Sequence, residues 1–553
     1  MSESPTVETV PTTSRWLLVG SAVALLVILI VNVPPFLRTP LDCDPILFDL
    51  YARDMLRGKV LYRDMVENNT PTMILLHMLV RSTLGHSPEA LRIVDLAVVG
   101  LGLGFLARWF RPGRRDLHVF AFCLLTALYL TTTEWCHVQR DVWLLLPVIG
   151  ALYLRRKQML RLTANRGAFL GAVFEGIIWG LAVWMKPYAL VMAAAVWALG
   201  MIWSRTRGAS RKAILGDFAG LMLGGIVIGG AGLAVMHALG ILVPYYDHIT
   251  NWGMEYQNED ADAYVLRWFW RLSYLVRNAP WSLVYIFLIP VAAVLAVRSI
   301  RSRPPAGTDD RPDRVLLSTL LVSWGFQAWF LQHAFDYPHI AGEMFALVLA
   351  IDLAAGRPTP RLRARSLAML AAITVVGHGI RFVERVTIWG ECLRADVPPE
   401  LYDRLSTYER MGWAELEGIN QFLRSQNVRQ GEFNVIGDSA LPLWEMLDQT
   451  PPTRYYIVHN NLVSFQSHKE EMLKALSEVP NQRYLVCNLI EFHLDPEKEY
   501  DSSNPASWAP SKGWYGPRKW AEKIVFRSGR YAVVAMTAAE VPQWLDDIFY
   551  NEN

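Results

Sequence analysis

This chain of 553 residues lacks the motifs of nucleotide and zinc chemistry. It has no P-loop, no GxGxxG fingerprint, no internal repeat and no low-complexity tract. Its five cysteines (43, 123, 136, 392 and 487) form no CxxC pair, which argues against a structural zinc site. A Cys43–Cys136 disulfide stays open, with independent thiols the preferred reading. Charge is also scarce: Asp, Glu, Lys and Arg make up 19% of the chain, against about a quarter in soluble domains. The net charge of +2 comes without any basic cluster of the kind that binds nucleic acid.

Apolar and aromatic residues take the vacant share. They reach 52% and 12%, with 21 Trp and a mean hydropathy of +0.21. Runs long enough to cross a bilayer fall near residues 16–33, 89–110, 117–133, 142–154, 167–185, 187–203, 214–240, 279–298, 314–331, 340–356 and 366–384. The 142–154 run is short and is expected to extend into its flanks. No small-x-small cleavage site follows residues 16–33, so that segment reads as a retained first span.

The loops alternate in charge. Five of them, around residues 108–115, 155–166, 205–212, 298–314 and 357–365, hold 22 Lys or Arg. The intervening short loops hold five: Arg140, Lys186, Arg267, Arg271 and Arg277. The positive-inside rule then predicts eleven spans in a plasma (inner) membrane, with the N-terminal tail 1–15 and the basic loops cytoplasmic. Loop 34–88 and everything after 385 fall on the opposite side. The apolar stretch 71–84 carries His77 and Arg81 and is too short to span; it reads as an interfacial helix.

The predicted fold class is mainly α. A polytopic bundle occupies 16–384, and an extracytoplasmic α/β domain occupies 385–553. In that tail, residues 409–410 and 415–424 read as helix. Residues 433–436, 484–487, 523–527 and 531–536 read as strands, the last two joined as a hairpin.

Candidate chemistry collects in the non-basic loops. The loop after the first span holds Asp42, Asp44, Asp49, Arg53, Arg63, Asp64 and Glu67. Asp44 is followed by Ile46, Leu47 and Phe48, so its carboxylate sits on a partly desolvated turn, suited to accept a proton. Asp42 and Asp49 are equally readable as surface carboxylates. The next such loop, Glu134-Trp-Cys-His137-Val-Gln139-Arg140-Asp141, offers Arg140 as a phosphate fork and Asp141 as a second acid. The bland alternative is an Arg140–Asp141 ion pair orienting the following helix. Lys186 interrupts an apolar hairpin at a span end, where it suits an anionic headgroup or simply snorkels to the interface. The loop from Gln332 to His339 carries two His and an Asp; a metal there is conceivable, though the spacing favours a structural role. Residues 245–262, aromatic and acidic, could cover a cleft or solvate a surface.

Asp44, Ala52-Arg53, Leu56-Arg-Gly58, Tyr62-Arg-Asp64, Pro71 and Leu91-Arg92 together resemble a pattern of the GT-C superfamily of polytopic glycosyltransferases. The resemblance is to the bacterial branch near the protein O-mannosyltransferases and the aminoarabinose transferase of lipid A, and it extends through Gln139-Arg140-Asp141 and Lys186-Pro187. It covers residues 16–200 and departs at Asp44-Pro45, where the family often has Asp-Glu. It implies a polyprenyl-phosphate-linked sugar donor, a glycan, lipid or protein acceptor in the cell envelope, and inversion at the anomeric carbon. Asp44 would be the base, with Asp141 or Glu67 as a further acid. Arg140 and Lys186 would hold the donor phosphate, with Arg53 or Arg63 as substitutes. Asp42, Asp49, Glu67, Glu134, His137 and His339 would be available to substrate. The resemblance specifies no cofactor, and a divalent cation stays open. Two other classes remain: a flippase or transporter of lipid-linked sugars, which would want charges at the bilayer midplane, and an inactive scaffold of the same fold.

Overall fold

The computed structural model describes residues 14–109, 114–253, 255, 268, 271–276, 278–302, 312–332, 335–406, 411–489, 520 and 522–549. Among the described residues, fifteen α-helices with given bounds precede the tail. They are α1 Arg15–Arg38, α2 Cys43–Leu56, α3 Thr72–Leu84, α4 Pro88–Ala107, α5 Arg115–Leu130, α6 Arg140–Trp143, α7 Leu145–Thr163, α8 Phe169–Met185, α9 Ala189–Thr206, α10 Arg211–Ala238, α11 Leu242–Asn251, α12 Trp281–Arg301, α13 Asp313–Phe326, α14 Tyr337–Ala355 and α15 Pro360–Cys392.

Each of the eleven apolar runs coincides with one of these helices. Eight are long and apolar enough to cross a membrane: α1, α4, α9, α10, α12, α13 with its continuation to Leu331, α14 and α15. Helices α5 and α8 have 16 and 17 residues. Helix α7 has the length but carries Arg155, Arg156, Lys157 and Arg161 in its second half. At about 1.5 Å per residue, the 24 residues of α1 exceed the roughly 30 Å of a bilayer's hydrocarbon. Only 11% of its most apolar window is buried in the protein, so Val23, Leu26, Val27 and Ile30 face outward. Water would penalise that surface, whereas acyl chains do not. The molecule is a polytopic helical membrane protein. The 13-residue α3 is too short to span and packs on α2 and α4.

Close backbone approach holds α8 to α10. A Cβ placed at Gly176 would lie 2.1 Å from the Leu221 carbonyl oxygen, and one at Gly224 2.0 Å from that of Val173. Small residues at such crossings let helices gain dispersion contacts where lipid supplies no hydrophobic drive. Arg155 of α7 ties the same two helices together, bonding Glu175 of α8 at 2.9 Å and Asp217 of α10 at 2.8 Å, all three buried. Gly224→Val is therefore expected to cost at least about 1–3 kcal/mol, the range for overpacking, and to lower the melting temperature of the detergent-purified protein. Gly225→Val, whose Cβ would meet nothing within 4 Å, should leave it within error. Equal melting of the two variants would show that the crossing does not depend on this contact.

The tail carries a four-stranded sheet, β1 Phe433–Val435, β2 Tyr484–Asn488, β3 Ile524–Ser528 and β4 Tyr531–Ala535, in the order β1-β2-β4-β3. β1 and β2 are parallel; β2–β4 and β4–β3 are antiparallel. These are the four strands expected from the sequence, including the hairpin through Gly529-Arg530. Helices α16 Pro399–Leu405, α17 Trp413–Ser425, α18 Pro442–Met446, α19 Val458–Ser464, α20 Lys469–Ser477 and α21 Val541–Phe549 complete it. The helix expected at 409–410 lies outside the described residues. Helix α15 runs to Cys392, eight residues beyond the apolar run that the sequence marked, because a helix does not stop where hydropathy does.

Candidate functional site

The loop after α1 is built as a helix and a tight return. Asp42 caps α2, its carboxylate accepting from the Cys43 N–H at 2.8 Å, and Asp44 stands in the first turn, where the helix dipole favours a negative charge. Asp44 is half-buried. The return from α2 to α3 needs left-handed backbone at Gly58 (φ +98°) and at Tyr62 (φ +67°), whose hydroxyl donates to the Asn69 carbonyl at 2.6 Å.

Opposite it lies the second loop, which ends on Val138 with φ +60°. A buried, β-branched residue seldom adopts that conformation, and such strain tends to gather where neighbouring side chains must be aimed. The next three residues are Gln139, Arg140 and Asp141. Gln139 Nε2 donates to Asp44 Oδ2 at 3.4 Å. Arg140 donates to Asn69 Oδ1 at 2.6 Å and stands over the Phe48 ring, 5.5 Å from its centroid. Asn69 in turn donates its backbone N–H to Glu67 Oε1 at 2.7 Å. Asp141 Oδ2 receives the Lys186 ammonium at 2.5 Å, and Asp141 Oδ1 accepts from Gln332 Nε2 at 3.3 Å. Gln332 Oε1 also accepts from Lys186.

Four connections thus meet at one end of the bundle: α1–α2–α3, α5–α7, α8–α9 and α13–α14. Asp44, Glu67, Arg140, Asp141 and Lys186 form one mutually polarising cluster. Burial raises the Glu67 carboxyl above the ordinary range, opposed by Arg140 and the Asn69 bonds and reinforced by the Asp44 charge. Lys186 lies in the short connection between α8 and α9. Burial pulls its ammonium down to about 8, with the Asp141 charge opposing. It remains a cation at neutral pH.

Other expected site residues go elsewhere. Arg53 donates to the Trp444 carbonyl at 3.0 Å and the Gln449 carbonyl at 2.6 Å, so its guanidinium is committed to the tail and not to the cluster. Arg63 is largely exposed and forks Asp64 at 2.7–2.8 Å. Asp49 is gripped by Arg81 at 2.6 and 2.7 Å, fastening α2 to α3. His137 is fully buried beneath the second loop, with Nε2 3.1 Å from the Tyr129 carbonyl and its ring edge-on to Phe36. Glu134 is buried in the same loop. His339 stacks on Tyr274, ring centroids 4.4 Å apart, in an aromatic nest with Trp329 and Tyr285. Among the described residues no three His, Cys, Asp or Glu side chains gather as a metal site. His333, and residues 254 and 256–262 of the aromatic-acidic loop, lie outside the described residues. Asn69 and Gln332 were not singled out by sequence, since neutral amides carry no spacing signal.

The first loop is also riveted to the tail. Val66 N–H donates to the Arg454 carbonyl at 2.9 Å, Thr450 donates to Asp54 at 3.1 Å, and Tyr456 donates to the same carboxylate. Glu445, on α18, hydrogen-bonds Asp49. Both line a cavity of about 450 Å³ at this seam. Enclosure and the Asp49 charge push the Glu445 carboxyl up to about 8. Asp49 is held well below the ordinary range: burial would raise it, but the His77 and Arg81 contacts outweigh that.

Glu445 keeps its proton when folded and loses it when unfolded, so between about pH 4.5 and about pH 8 the unfolded chain binds fewer protons and stability falls as pH rises. The contribution is fully present below pH 4.5 and gone above pH 8. Asp49 acts oppositely, contributing stability above its unfolded value of 3.8 that is lost on acidification. Glu445→Gln, which keeps a donor toward Asp49, is expected to flatten the decline in melting temperature between pH 5 and pH 8. An unchanged slope would mean that this carboxyl does not hold its proton.

No family model matches the chain, and no curated protein matches it in sequence. Three solved structures of an oligosaccharyltransferase from Archaeoglobus fulgidus are similar in arrangement. The complex with an inhibitory peptide and a dolichol-phosphate has a TM-score of 0.45 at 12% identity, over 86% of this chain and 69% of that one. The apo form has 0.43 at 9%, over 87% and 70%. The form tethered by a disulfide to an acceptor peptide containing the NVT sequon has 0.45 at 10%, over 87% and 70%.

Proposed function

We propose that this protein is a membrane glycosyltransferase of the GT-C type, moving a sugar from a polyprenyl-phosphate donor to an acceptor hydroxyl on the extracytoplasmic side of the plasma membrane, with inversion. The observation that supports it is the meeting of the half-buried Asp44 with the Arg140 and Lys186 cations at one end of a lipid-facing bundle. That end carries the short connections poor in Lys and Arg, 133–141, around 186 and 332–339, which positive-inside reasoning puts outside the cytoplasm.

In this reading Asp44 takes the acceptor proton as the acceptor atom attacks the anomeric carbon from the face opposite the phosphate. The bond from that carbon to the phosphate oxygen breaks, and polyprenyl phosphate leaves with the electron pair. A phosphate is a good leaving group, so no strong general acid is demanded, in contrast to a glycosidase's carboxylate pair. The need is for cations at the developing charge, which Lys186 and Arg140 would supply. Asp141 then acts as the positioning carboxylate for Lys186, and Glu67, through Asn69, for Arg140. The role of the tail follows from its attachment: by gripping Arg53, Asp54 and Val66 it fixes the helix that carries Asp44.

The test is to incubate the purified protein with radiolabelled polyprenyl-phosphate sugars and a membrane and glycan extract as acceptor source. Label is expected to move from the lipid to an acceptor. Label that only changes leaflet in proteoliposomes would make the protein a flippase, and no movement with any sugar would make it a scaffold.

A further inference from the structure

A second site lies at the far end of the same bundle. Helix α1 leaves the cluster end at Arg38 and begins at Arg15, α4 ends at Ala107, and α5 begins at Arg115. The Ser14 N–H donates to Asp116 at 3.2 Å, which brings the start of α1 against the start of α5. Between these three helices opens a groove of about 580 Å³. Its long walls are apolar, including Leu18, Leu25, Leu101 and Phe105, and its mouth is rimmed by Arg108 and Arg115.

Two features set it apart from ordinary helix packing. Gly100 and Gly104 both line it, and a Cβ at either would meet nothing within 4 Å. No neighbouring helix uses the room they leave, although glycine weakens a helix interior. Arg108 and Arg115 are exposed, and neither reaches a carboxylate within ion-pair distance among the described residues. Arg114, one residue away, is by contrast spent on Asp116 at 3.0 Å. Leu101 and Phe105 are 57% and 45% exposed on a helix apolar enough to span, so acyl chains are the medium at the groove's wall.

We propose that this groove binds an anionic phospholipid of the phosphatidylglycerol class in the leaflet opposite the reaction cluster. One acyl chain lies along the Gly100–Gly104 hollow, and the phosphodiester sits between Arg108 and Arg115. A zwitterionic lipid fits the hollow equally but brings its own cation against the two guanidinium groups. Charge complementarity at the mouth therefore selects the lipid, and the apolar walls hold it. This site is independent of the glycosyl-transfer reading, and its occupancy is measurable without any transfer assay.

The experiment is native mass spectrometry of the full-length protein after incubation with equimolar phosphatidylglycerol and phosphatidylcholine. The wild type is expected to retain the anionic lipid about thirtyfold over the zwitterionic one, as two surface cations would provide. The double variant Arg108→Gln/Arg115→Gln should bring the ratio near one. A second variant, Gly104→Leu, keeps both cations and fills the hollow, and it should also lose retained phosphatidylglycerol. Equal retention of both lipids by the wild type overturns the proposal, as does retention unchanged in both variants. So does displacement of phosphatidylglycerol by equimolar polyprenyl phosphate, which would assign the groove to a carrier lipid.

Discussion

Asp44→Asn is expected to reduce transfer from a polyprenyl-phosphate sugar by about 10²–10⁴-fold, the range that a positioned proton acceptor contributes, with expression and membrane insertion unchanged. The side chain sits in the first turn of α2, and its recorded contact is a long one of 3.4 Å from Gln139. Asn has the same shape and can accept that bond through its carbonyl oxygen, so the fold loses only the favourable placement of one charge in the first helical turn, about 0.3–1 kcal/mol. The capacity to take up a proton is lost with it. Parallel measurement of kcat and of donor binding makes the result specific: kcat falls while the donor dissociation constant holds. Turnover within a few-fold of wild type would remove Asp44 from the chemistry and leave it a helix-start carboxylate.

Removing the Lys186 charge should be nearly as severe. Loss of a preorganised cation or donor at a developing oxyanion costs about 10²–10³ in rate, and Lys186→Ala is expected to fall in that range, affecting donor use more than acceptor use. The single variant also strands Asp141, whose carboxylate is fully buried and paired with this ammonium, and an uncompensated buried charge destabilises. The double variant Lys186→Met/Asp141→Asn removes both charges together and should fold normally while remaining slow. If the double variant regains wild-type rates, Lys186 is an anchor for the α8–α9 connection and takes no part in phosphate binding. A rate that declines as pH rises through about 8, where the ammonium loses its proton, is the expected companion in the wild type.

The bilayer-facing part of the fold was legible because its signal is local. A run of apolar residues must become a helix in lipid, whatever its neighbours do, since each backbone polar group has to be satisfied within the segment. All eleven runs are helices for that reason. The four tail strands were legible as short runs rich in β-branched and aromatic residues, three of them buried along nearly their whole length. The site was legible in part. Asp44, Arg140, Asp141 and Lys186 stood out as charges beside lipid, and the structure gathers them. Arg53, Arg63, Asp49, His137 and His339 bore the same kind of sequence signal and went to other partners. Nothing in their spacing separates a guanidinium that grips tail carbonyls, as Arg53 does, from one that stands at the cluster.

The sequence by itself determined that this chain crosses a membrane many times, and that its scarce charge gathers in particular loops, because hydropathy and charge act on each segment separately. The tertiary structure alone decided which of those charges meet. The contact of Lys186 with Gln332 joins residues 146 positions apart, and Tyr456 with Asp54 joins residues 402 apart. Pairings at such separations depend on how helices cross and where the tail docks, and those follow from the packing of the whole chain.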